Sequence, residues 1–299
     1  MKPTISTWFA ASLAVLATCS GRAEVIAVDD SGATVVLKAT AKRIISLAPH
    51  TTELLFAAGA GDRIVGTMEY SDYPAAAKSI PRIGSSSLLD MERIITLKPD
   101  LIVVWLHGSS ASHLEKLRTL GVPIFQNEPR TLADIPRALM QLGTLAGTED
   151  QARPVADAFS SRVAMLRARY AGRPSVGLFW QVWARPLLTI NGRHLIDGVI
   201  RLCGGTNIFE RLSPLVPAVS IEAVVQADPE AIVTTSHDAS AGRDDGLDVW
   251  RRFSGLRATS HHNLIVLDAD MIHRSSPRIL DGAAALCEQL EDVRIRRSP

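Results

Sequence analysis

The chain has 299 residues, of which 46% are hydrophobic and 21% are charged, and its formal net charge is +1. Such a composition is typical of a globular protein that can bury a sizeable core and divide it between two lobes. A charge this close to neutral offers no basic surface for nucleic acid and no polybasic run for anionic lipid. We therefore expect no nucleic-acid partner.

The first 23 residues have the pattern of an export signal. A basic residue is followed by a short apolar run at 8–17, and residues 21–23 place small side chains at the −3 and −1 positions of a cleavage site. We interpret residues 1–23 as a cleaved signal peptide and expect the mature protein to be exported. Residues 16–19 form an imperfect lipobox, so lipid anchoring through Cys19 is the alternative.

Export leaves Cys203 and Cys287 as the two cysteines of the mature chain. An oxidising compartment favours their pairing, and two separate buried thiols are the alternative. A disulfide between them would close a loop of about 85 residues, which the chain-entropy argument equates with roughly 4 kcal/mol of stabilisation.

Strand and helix patterns alternate along the first half of the chain. Pro49 ends an early buried strand, and Thr51 or Thr52 is expected to cap the helix that follows. This alternation is typical of a parallel α/β sheet. A hairpin is predicted at 25–38, strands at 43–47, 64–66, 101–105 and 122–125, and helices at 91–97 and 114–120.

The stretch at 56–66, FAAGAGDRIVG, resembles a glycine-rich phosphate loop at first sight. A dinucleotide loop needs a third glycine where Ile64 stands, and it must follow a strand and open a helix. Here a predicted helix precedes the glycines and a predicted strand follows them. We therefore interpret Gly59 and Gly61 as a helix C-terminus that requires positive φ angles.

Residues 149–170 predict one long helix, because apolar side chains recur there at three- and four-residue spacing. Such a helix would span roughly 33 Å, the width of a small domain. The α/β alternation then resumes, with strands predicted at 175–180, 231–235 and 264–267 and helices near 194–202, 221–226 and 277–290.

Part of the first half recurs in the second. Leu89–Trp105 aligns with Val219–Thr235 at a constant offset, so that Glu92 falls on Glu222 and a Pro-acidic turn falls on a Pro-acidic turn. The repeat predicts two α/β lobes with central parallel sheets, joined by the single long helix, with a ligand cleft between them. The expected division is a signal peptide (1–23), an N-terminal lobe (24–148), a bridging helix (149–171) and a C-terminal lobe (172–299).

No catalytic set is recognisable in the sequence. The eight histidines lack the spacing of a zinc site, and neither a G-x-S-x-G elbow nor a Walker loop occurs. Four aromatic residues instead lie near the ends of predicted strands, where they could offer flat apolar surface to a large ligand or simply pack under loops. They are Tyr70, Trp105, Trp180 and Trp183. We expect a binding protein, with an exported enzyme on the same sheets as the rival.

Several motifs occur in an order and spacing that characterise one family. They are Ser46-Leu47-Ala48-Pro49 with Thr52-Glu53-Leu54, Tyr70-Ser71-Asp72-Tyr73-Pro74, Glu92-Arg93-Ile94 with Lys98-Pro99-Asp100-Leu101, Cys203-Gly204-Gly205 with Asn207-Ile208-Phe209, and Ser276-Pro277-Arg278-Ile279. Through them the chain resembles, over about 41–290, the periplasmic binding proteins for cobalamin, iron-siderophores and haem that feed ABC importers. Among these it is most similar to the cobalamin binders.

The resemblance implies a monomer that carries cobalamin as cargo, holds no cofactor or resident metal, and closes little about its bridging helix. It implies a disulfide between Cys203 and Cys287, and it assigns Glu92 and Glu222 to docking on the two subunits of a permease dimer. The residues that it assigns to the cleft are Tyr70, Trp105, Asp270, Met271, Ile272, His273 and Arg274.

The chain also departs from the cobalamin binders. Ser86 and Val216 stand where those proteins have aromatic residues, and His273 stands where they have an acidic one. Haem or a ferri-siderophore is therefore the alternative cargo, since imidazole is a common ligand of iron. Coordination of the cargo metal by His50 or His273 is left open, and Trp180 and Trp183 are candidates to replace the missing aromatic contacts.

Overall fold

The computed structural model describes residues 24–237 and 246–297. The predicted signal peptide and Cys19 lie outside the described residues. Two four-stranded parallel sheets, each flanked by helices, form two lobes. This arrangement confirms the α/β fold class that the repeat predicted.

The sheet of the first lobe has the strand order β4-β3-β5-β6, with all neighbours parallel. Its central strands are buried along nearly their whole length, as expected for a parallel sheet covered on both faces. The elements are β1 (Val25–Val28), β2 (Thr34–Leu37), β3 (Ile44–Ser46), α1 (Pro49–Ala57), β4 (Ile64–Thr67), α2 (Met91–Thr96), β5 (Leu101–Trp105), α3 (Ala111–Arg118), β6 (Ile124–Asn127) and α4 (Asp134–Ala146).

The hairpin of β1 and β2 lies beside β6, the edge strand of this sheet. The backbone N–H of Asp30 donates to the carbonyl of Gln126 at 2.9 Å, and the N–H of Gln126 donates to a carboxylate oxygen of Asp29 at 3.2 Å. The turn of the hairpin therefore occupies backbone groups that an edge strand would otherwise leave unpaired.

The bridging helix is α5 (Glu149–Tyr170), and its bounds agree with the predicted range. It packs against α4, a helix that the sequence reading missed. Gly143 of α4 is needed at this contact, because an added Cβ would lie 2.7 Å from the Cβ of Ala152 in α5. One hydrophobic core runs from the hairpin through both helices into the second lobe.

The sheet of the second lobe has the order β10-β7-β11-β12, again all parallel. Cys203 follows α6 and is bonded to Cys287 of α11, both fully buried, which confirms the predicted pairing. The elements are β7 (Val176–Trp180), β8 (Trp183–Ala184), β9 (Leu187–Leu188), α6 (Leu195–Leu202), β10 (Gly205–Asn207), α7 (Ile221–Ala227), β11 (Ala231–Ser236), α8 (Asp248–Arg251), α9 (Arg257–Ser260), β12 (Leu264–Asp268), α10 (Ala269–Ile272) and α11 (Ile279–Arg296).

The repeat predicted from the sequence is present in the backbone. Helices α2 and α7 begin at equivalent positions, and each is capped by the side chain before it, Asp90 accepting from the N–H of Arg93 and Ser220 from that of Ala223. Such caps satisfy donors that the first turn of a helix leaves free.

The turns after these two helices match as well. Lys98 and Asp228 both have left-handed φ angles, of 45° and 43°. Asp100 then accepts from the backbone N–H of Arg43 at 2.9 Å, and Glu230 accepts from the N–H of Gly177 at 2.9 Å. Each acidic residue thus fixes its turn to the neighbouring chain segment at the start of a strand.

Two local predictions were wrong. Helix α1 begins at Pro49, so Thr51 and Thr52 lie inside it, and the capping position is held by Ala48, whose side chain cannot accept a hydrogen bond. The hydroxyls of Thr51 and Thr52 instead donate to the carbonyl of Ala48. Gly59 has the expected positive φ of 78°, whereas Gly61 opens a short 3-10 turn without a left-handed φ.

Candidate ligand-binding cleft

The carboxyl ends of the two parallel sheets carry the polar and aromatic side chains of the candidate site. Open α/β sheets bind ligands at these ends, because the loops that follow the strands meet there. In the first lobe His50, Tyr70 and Trp105 follow or end β3, β4 and β5. In the second lobe His237 follows β11, and helix α10 follows β12.

Tyr70 and Trp105, which the resemblance assigned to the cleft, both present their rings to solvent. The side chain of Tyr70 is 76% exposed and its φ angle of 63° is left-handed. Trp105 is 43% exposed, and its ring meets the imidazole of His50 edge-on at 5.5 Å between centroids. Each of these exposed rings offers apolar surface near the carboxyl end of its strand.

His50 lies beside the ring of Trp105. Its imidazole is almost completely buried, and among the described residues Nε2 has no hydrogen-bond partner. Burial, together with the positive charge of Arg274, lowers the pKa of His50 to about 3. The ring is therefore neutral at physiological pH.

The wall of the second lobe is built around a carboxylate. Asp270 Oδ1 accepts a hydrogen bond from Arg274 Nη2 at 2.8 Å and lies 3.4 Å from Nδ1 of His237. Partial burial raises the pKa of Asp270, but the hydrogen bond and charge of Arg274 outweigh it, so the pKa is lowered. Arg274 also donates through Nη1 to the backbone carbonyl of Tyr70 at 3.3 Å. The structure thereby brings three of the assigned residues together across the cleft.

The remaining residues of the assigned segment point in different directions. His273 Nε2 lies 3.3 Å from the hydroxyl of Thr235, and burial of part of its ring, then the charges of His237 and Arg274, lower its pKa to about 4. Met271 is half-buried. Ile272 is 1% exposed and packs in the main core, so its side chain does not face the cleft. Successive side chains of a short helix point to different faces of that helix. The resemblance assigned the whole segment to the cleft and therefore included side chains that do not lie there.

The two tryptophans considered as replacement contacts differ sharply in exposure. Trp180 is fully buried inside the second lobe, so its assignment as ligand surface was wrong. Trp183 is 62% exposed on the β8–β9 hairpin, where its Nε1 donates to the carbonyl of Arg185 at 2.9 Å. Both tryptophans lie at the end of a strand in the sequence. Whether such a residue is in the core or at the surface depends on the direction of its side chain, which the sequence position does not give.

A buried polar cluster joins the lobes near the start of α1. Glu53, only 4% exposed, accepts hydrogen bonds from Ser276 Oγ at 2.5 Å and Arg278 Nη1 at 3.1 Å. The guanidinium of Arg278 also lies 3.9 Å from the ring centroid of Tyr73. Burial raises the pKa of Glu53, against the opposing effects of Ser276 and the nearby arginines. The motifs that contain Glu53 and Arg278 were recognised in the sequence, but the contact between these two residues was not predicted.

Glu92 and Glu222 lie at the second positions of α2 and α7, and both are exposed. The pKa of Glu222 is lowered by a hydrogen bond from its own backbone N–H and by Ser220. The two carboxylates thus occupy equivalent places on the two lobes, as the repeat predicted.

Other features of the described residues carry no part of this site. A cavity of about 470 Å³ lies between the hairpin and α3, away from the cleft residues. Over 24–237 and 246–297, no cluster of three or more His, Cys, Asp or Glu side chains could hold a metal ion. Within the same ranges, no helix combines the length and apolar character needed to cross a bilayer.

Comparison with known proteins agrees with this architecture. A family model described as "Periplasmic binding protein" matches residues 44–271. The vitamin B12-binding protein of Vibrio parahaemolyticus is 35% identical over 257 residues, covering 86% of this chain and 92% of that protein. The vitamin B12-binding protein of Yersinia pestis is 37% identical over 253 residues, covering 85% and 88%.

Solved structures give the same result. The periplasmic vitamin B12-binding protein BtuF of Vibrio cholerae aligns with a TM-score of 0.77 and 35% identity, covering 87% of this chain and 99% of that one. The haem-binding protein BhuT, solved with two haems, aligns with a TM-score of 0.74 and 21% identity, covering 84% of this chain and 98% of that one. At this low identity the similarity shows a shared fold alone. With a family model that matches most of its length and relatives that it covers almost end to end, the chain belongs to the periplasmic binding protein family.

Proposed function

We propose that this protein captures cobalamin, or a related corrinoid, between its lobes and delivers it to the permease of an ABC importer. The observation that carries the proposal is the hydrogen bond from Arg274, itself paired with Asp270, to the backbone carbonyl of Tyr70, which links this polar pair to a lobe that exposes the aromatic residues Tyr70 and Trp105. A corrin has wide apolar faces and a rim of amides, which suits aromatic surface opposed by hydrogen-bonding groups.

The relatives named above support the choice of cargo, since those that match at 35–37% identity are vitamin B12-binding proteins. We propose that cobalamin is transported cargo rather than a cofactor, that the protein performs no chemistry on it, and that it acts as a monomer in the periplasm. We further propose that the lobes extend over 24–148 and 172–299 and that the leader is removed rather than anchored through Cys19.

Docking is proposed through Glu92 and Glu222. Each is an exposed carboxylate at the start of a capped helix, and the two occupy equivalent positions in the repeat. A two-fold symmetric permease dimer presents two identical surfaces, which two matching carboxylates could contact through basic residues.

The cargo is tested by titrating the mature protein with cyanocobalamin, haemin and a ferric siderophore. Calorimetry is preferred for variants, because replacing Trp105 also removes a fluorophore. We expect cyanocobalamin to bind, and Tyr70→Ala and Trp105→Ala each to weaken it at least tenfold. Ile295→Ala, which removes an exposed apolar side chain on α11, is the matched control. Tight binding of haemin with none of cyanocobalamin would replace the proposed cargo by haem.

Docking is tested with the double variant Glu92→Ala/Glu222→Ala in a reconstituted importer. We expect cobalamin affinity to be retained while stimulation of ATP hydrolysis and uptake is lost. Glu115→Ala/Glu288→Ala, which removes two carboxylates from other helices, is the control for a general loss of charge. Equal loss of affinity and transport in the docking variant would contradict the assignment. Recovery of chemically unchanged cobalamin after prolonged incubation tests the absence of catalysis.

A further inference from the structure

We propose that His237 is an axial ligand of the cargo metal, so that the cleft selects corrinoids whose upper axial position is exchangeable. The inference rests on the proposed function, since it requires a metal held in a macrocycle between the lobes. His237 was not recognised in the sequence. It lies at the carboxyl end of β11, and its side chain is 77% exposed.

The position of Asp270 orients the imidazole. His237 Nδ1 lies 3.4 Å from Asp270 Oδ1, and that carboxylate is held in turn by Arg274 Nη2 at 2.8 Å. A carboxylate beside Nδ1 favours the tautomer with the proton on that nitrogen and leaves the lone pair of Nε2 free. Protein histidines that bind metals are commonly oriented by such a carboxylate.

The position of this histidine relative to the first lobe supports the same role. Arg274 bridges from Asp270 to the carbonyl of Tyr70, whose exposed ring forms part of the opposite wall. The chain of contacts from Tyr70 to His237 therefore crosses the cleft. A macrocycle lying against Tyr70 and Trp105 would turn its other face towards the wall that carries His237.

Neighbouring histidines are less suited to the role. His50 is buried beside Trp105, and Nε2 of His273 is 3.3 Å from the hydroxyl of Thr235. The described residues contain no group of three or more side chains able to hold a free metal ion. One imidazole suffices, however, for a metal that already has four ligands from a macrocycle.

The step is a ligand exchange at the metal. The bond from cobalt to its axial water breaks, the Nε2 lone pair of His237 forms a cobalt–nitrogen bond, and the water leaves. The proton stays on Nδ1 beside Asp270, and the oxidation state of cobalt is unchanged. Cyanide held at the same axial position would oppose the exchange, so aquocobalamin is the suitable probe and cyanocobalamin the comparison.

The experiment measures affinity and visible absorption for both corrinoids. With the unaltered protein we expect the absorption bands of aquocobalamin to shift towards those of its imidazole complex. With His237→Ala the shift should disappear, and aquocobalamin affinity should fall at least tenfold more than cyanocobalamin affinity. Free imidazole should restore the shifted spectrum with the bound variant. Asp270→Asn, which changes a positioning residue, should reduce the shift without abolishing it.

Two histidine variants serve as controls. His261→Ala removes an exposed imidazole at the end of α9, which takes part in none of the cleft contacts described above, and it should leave both affinities and the absorption shift unchanged. His273→Ala should keep the shift. Binding of both corrinoids without a shift, or a shift that survives His237→Ala, would overturn the inference while leaving the proposed function intact. Failure of both corrinoids to bind would remove the proposed function and the inference with it.

Discussion

Arg274 of the second lobe donates a hydrogen bond to the backbone carbonyl of Tyr70 in the first, with 3.3 Å between Nη1 and the oxygen. Tyr70 needs such support, because its φ of 63° lies in the left-handed region that disfavours residues with a Cβ. Backbone strain of this kind is common where a side chain must be presented to a ligand. The strained conformation goes together with a residue that is 76% exposed, as expected of a side chain that contacts a ligand.

The strain at Tyr70 can be measured with two variants. Tyr70→Gly and Tyr70→Ala both remove the ring, but only glycine relieves the left-handed φ. We expect Tyr70→Gly to be more stable than Tyr70→Ala by about 1 kcal/mol in urea unfolding. Leu88, also exposed but without a positive φ, is the control, and there the glycine variant should be the less stable one. The same order of stabilities at both positions would contradict the argument.

The buried cluster of Glu53 and Arg278 should be costly to break from one side. Glu53→Ala leaves a largely buried guanidinium without its carboxylate, and we expect a loss of about 3 kcal/mol in the free energy of unfolding. Removing both partners should cost less than the sum of the single variants, because no unpaired charge remains. A double-mutant cycle in guanidinium chloride measures this coupling. Strict additivity would show that the pair contributes no interaction of its own.

The buried His50 should make the protein sensitive to acid. Its pKa falls from 6.5 to about 3 on folding, so the unfolded chain binds more protons between these values. The free energy of unfolding therefore decreases as the pH falls through this window, by up to about 5 kcal/mol, which is the equivalent of the difference between the two pKa values. His50→Phe should flatten the stability profile between pH 7 and pH 4, and His261→Phe should not. An unaltered slope in the His50 variant would contradict a neutral, buried ring.

The disulfide should stabilise the fold without contributing to the cleft. Cys203 and Cys287 are fully buried between α6 and α11. We expect Cys203→Ala/Cys287→Ala to lower the free energy of unfolding by about 2–4 kcal/mol, mainly through the greater freedom of the unfolded chain. Cobalamin affinity should stay within twofold of the unaltered protein. Thermal unfolding with and without a reductant tests the loss of stability. Calorimetry under the same conditions tests whether cobalamin affinity is retained.

The sequence predicted the sheets well because apolar runs and the repeat determine them. Strands of both sheets lie within two residues of the predicted positions where they were predicted, and α5 has the predicted bounds. Helix α4 was missed although its buried face, with Ile135, Leu139 and Leu142, has helical spacing. Its proline at the third position and an internal glycine obscured that pattern.

Side-chain direction was harder to predict than backbone class. Trp180 and Trp183 have similar positions in the sequence, yet one is in the core and the other at the surface. His237 is part of no recognisable motif, and the role proposed for it rests on its distance to Asp270, a residue of the following strand–helix unit. Contacts between residues so distant in sequence depend on how whole elements pack, which local patterns do not encode.

The hairpin turn at Asp29 and Asp30 also protects the solubility of the chain. It occupies Gln126 on the outermost strand of the first sheet, where a second molecule could otherwise add a strand of its own. A variant that lacks residues 24–37 would uncover a template for intermolecular β-pairing. The first two described strands, β1 and β2, thereby position a safeguard against self-association at an edge of the first sheet.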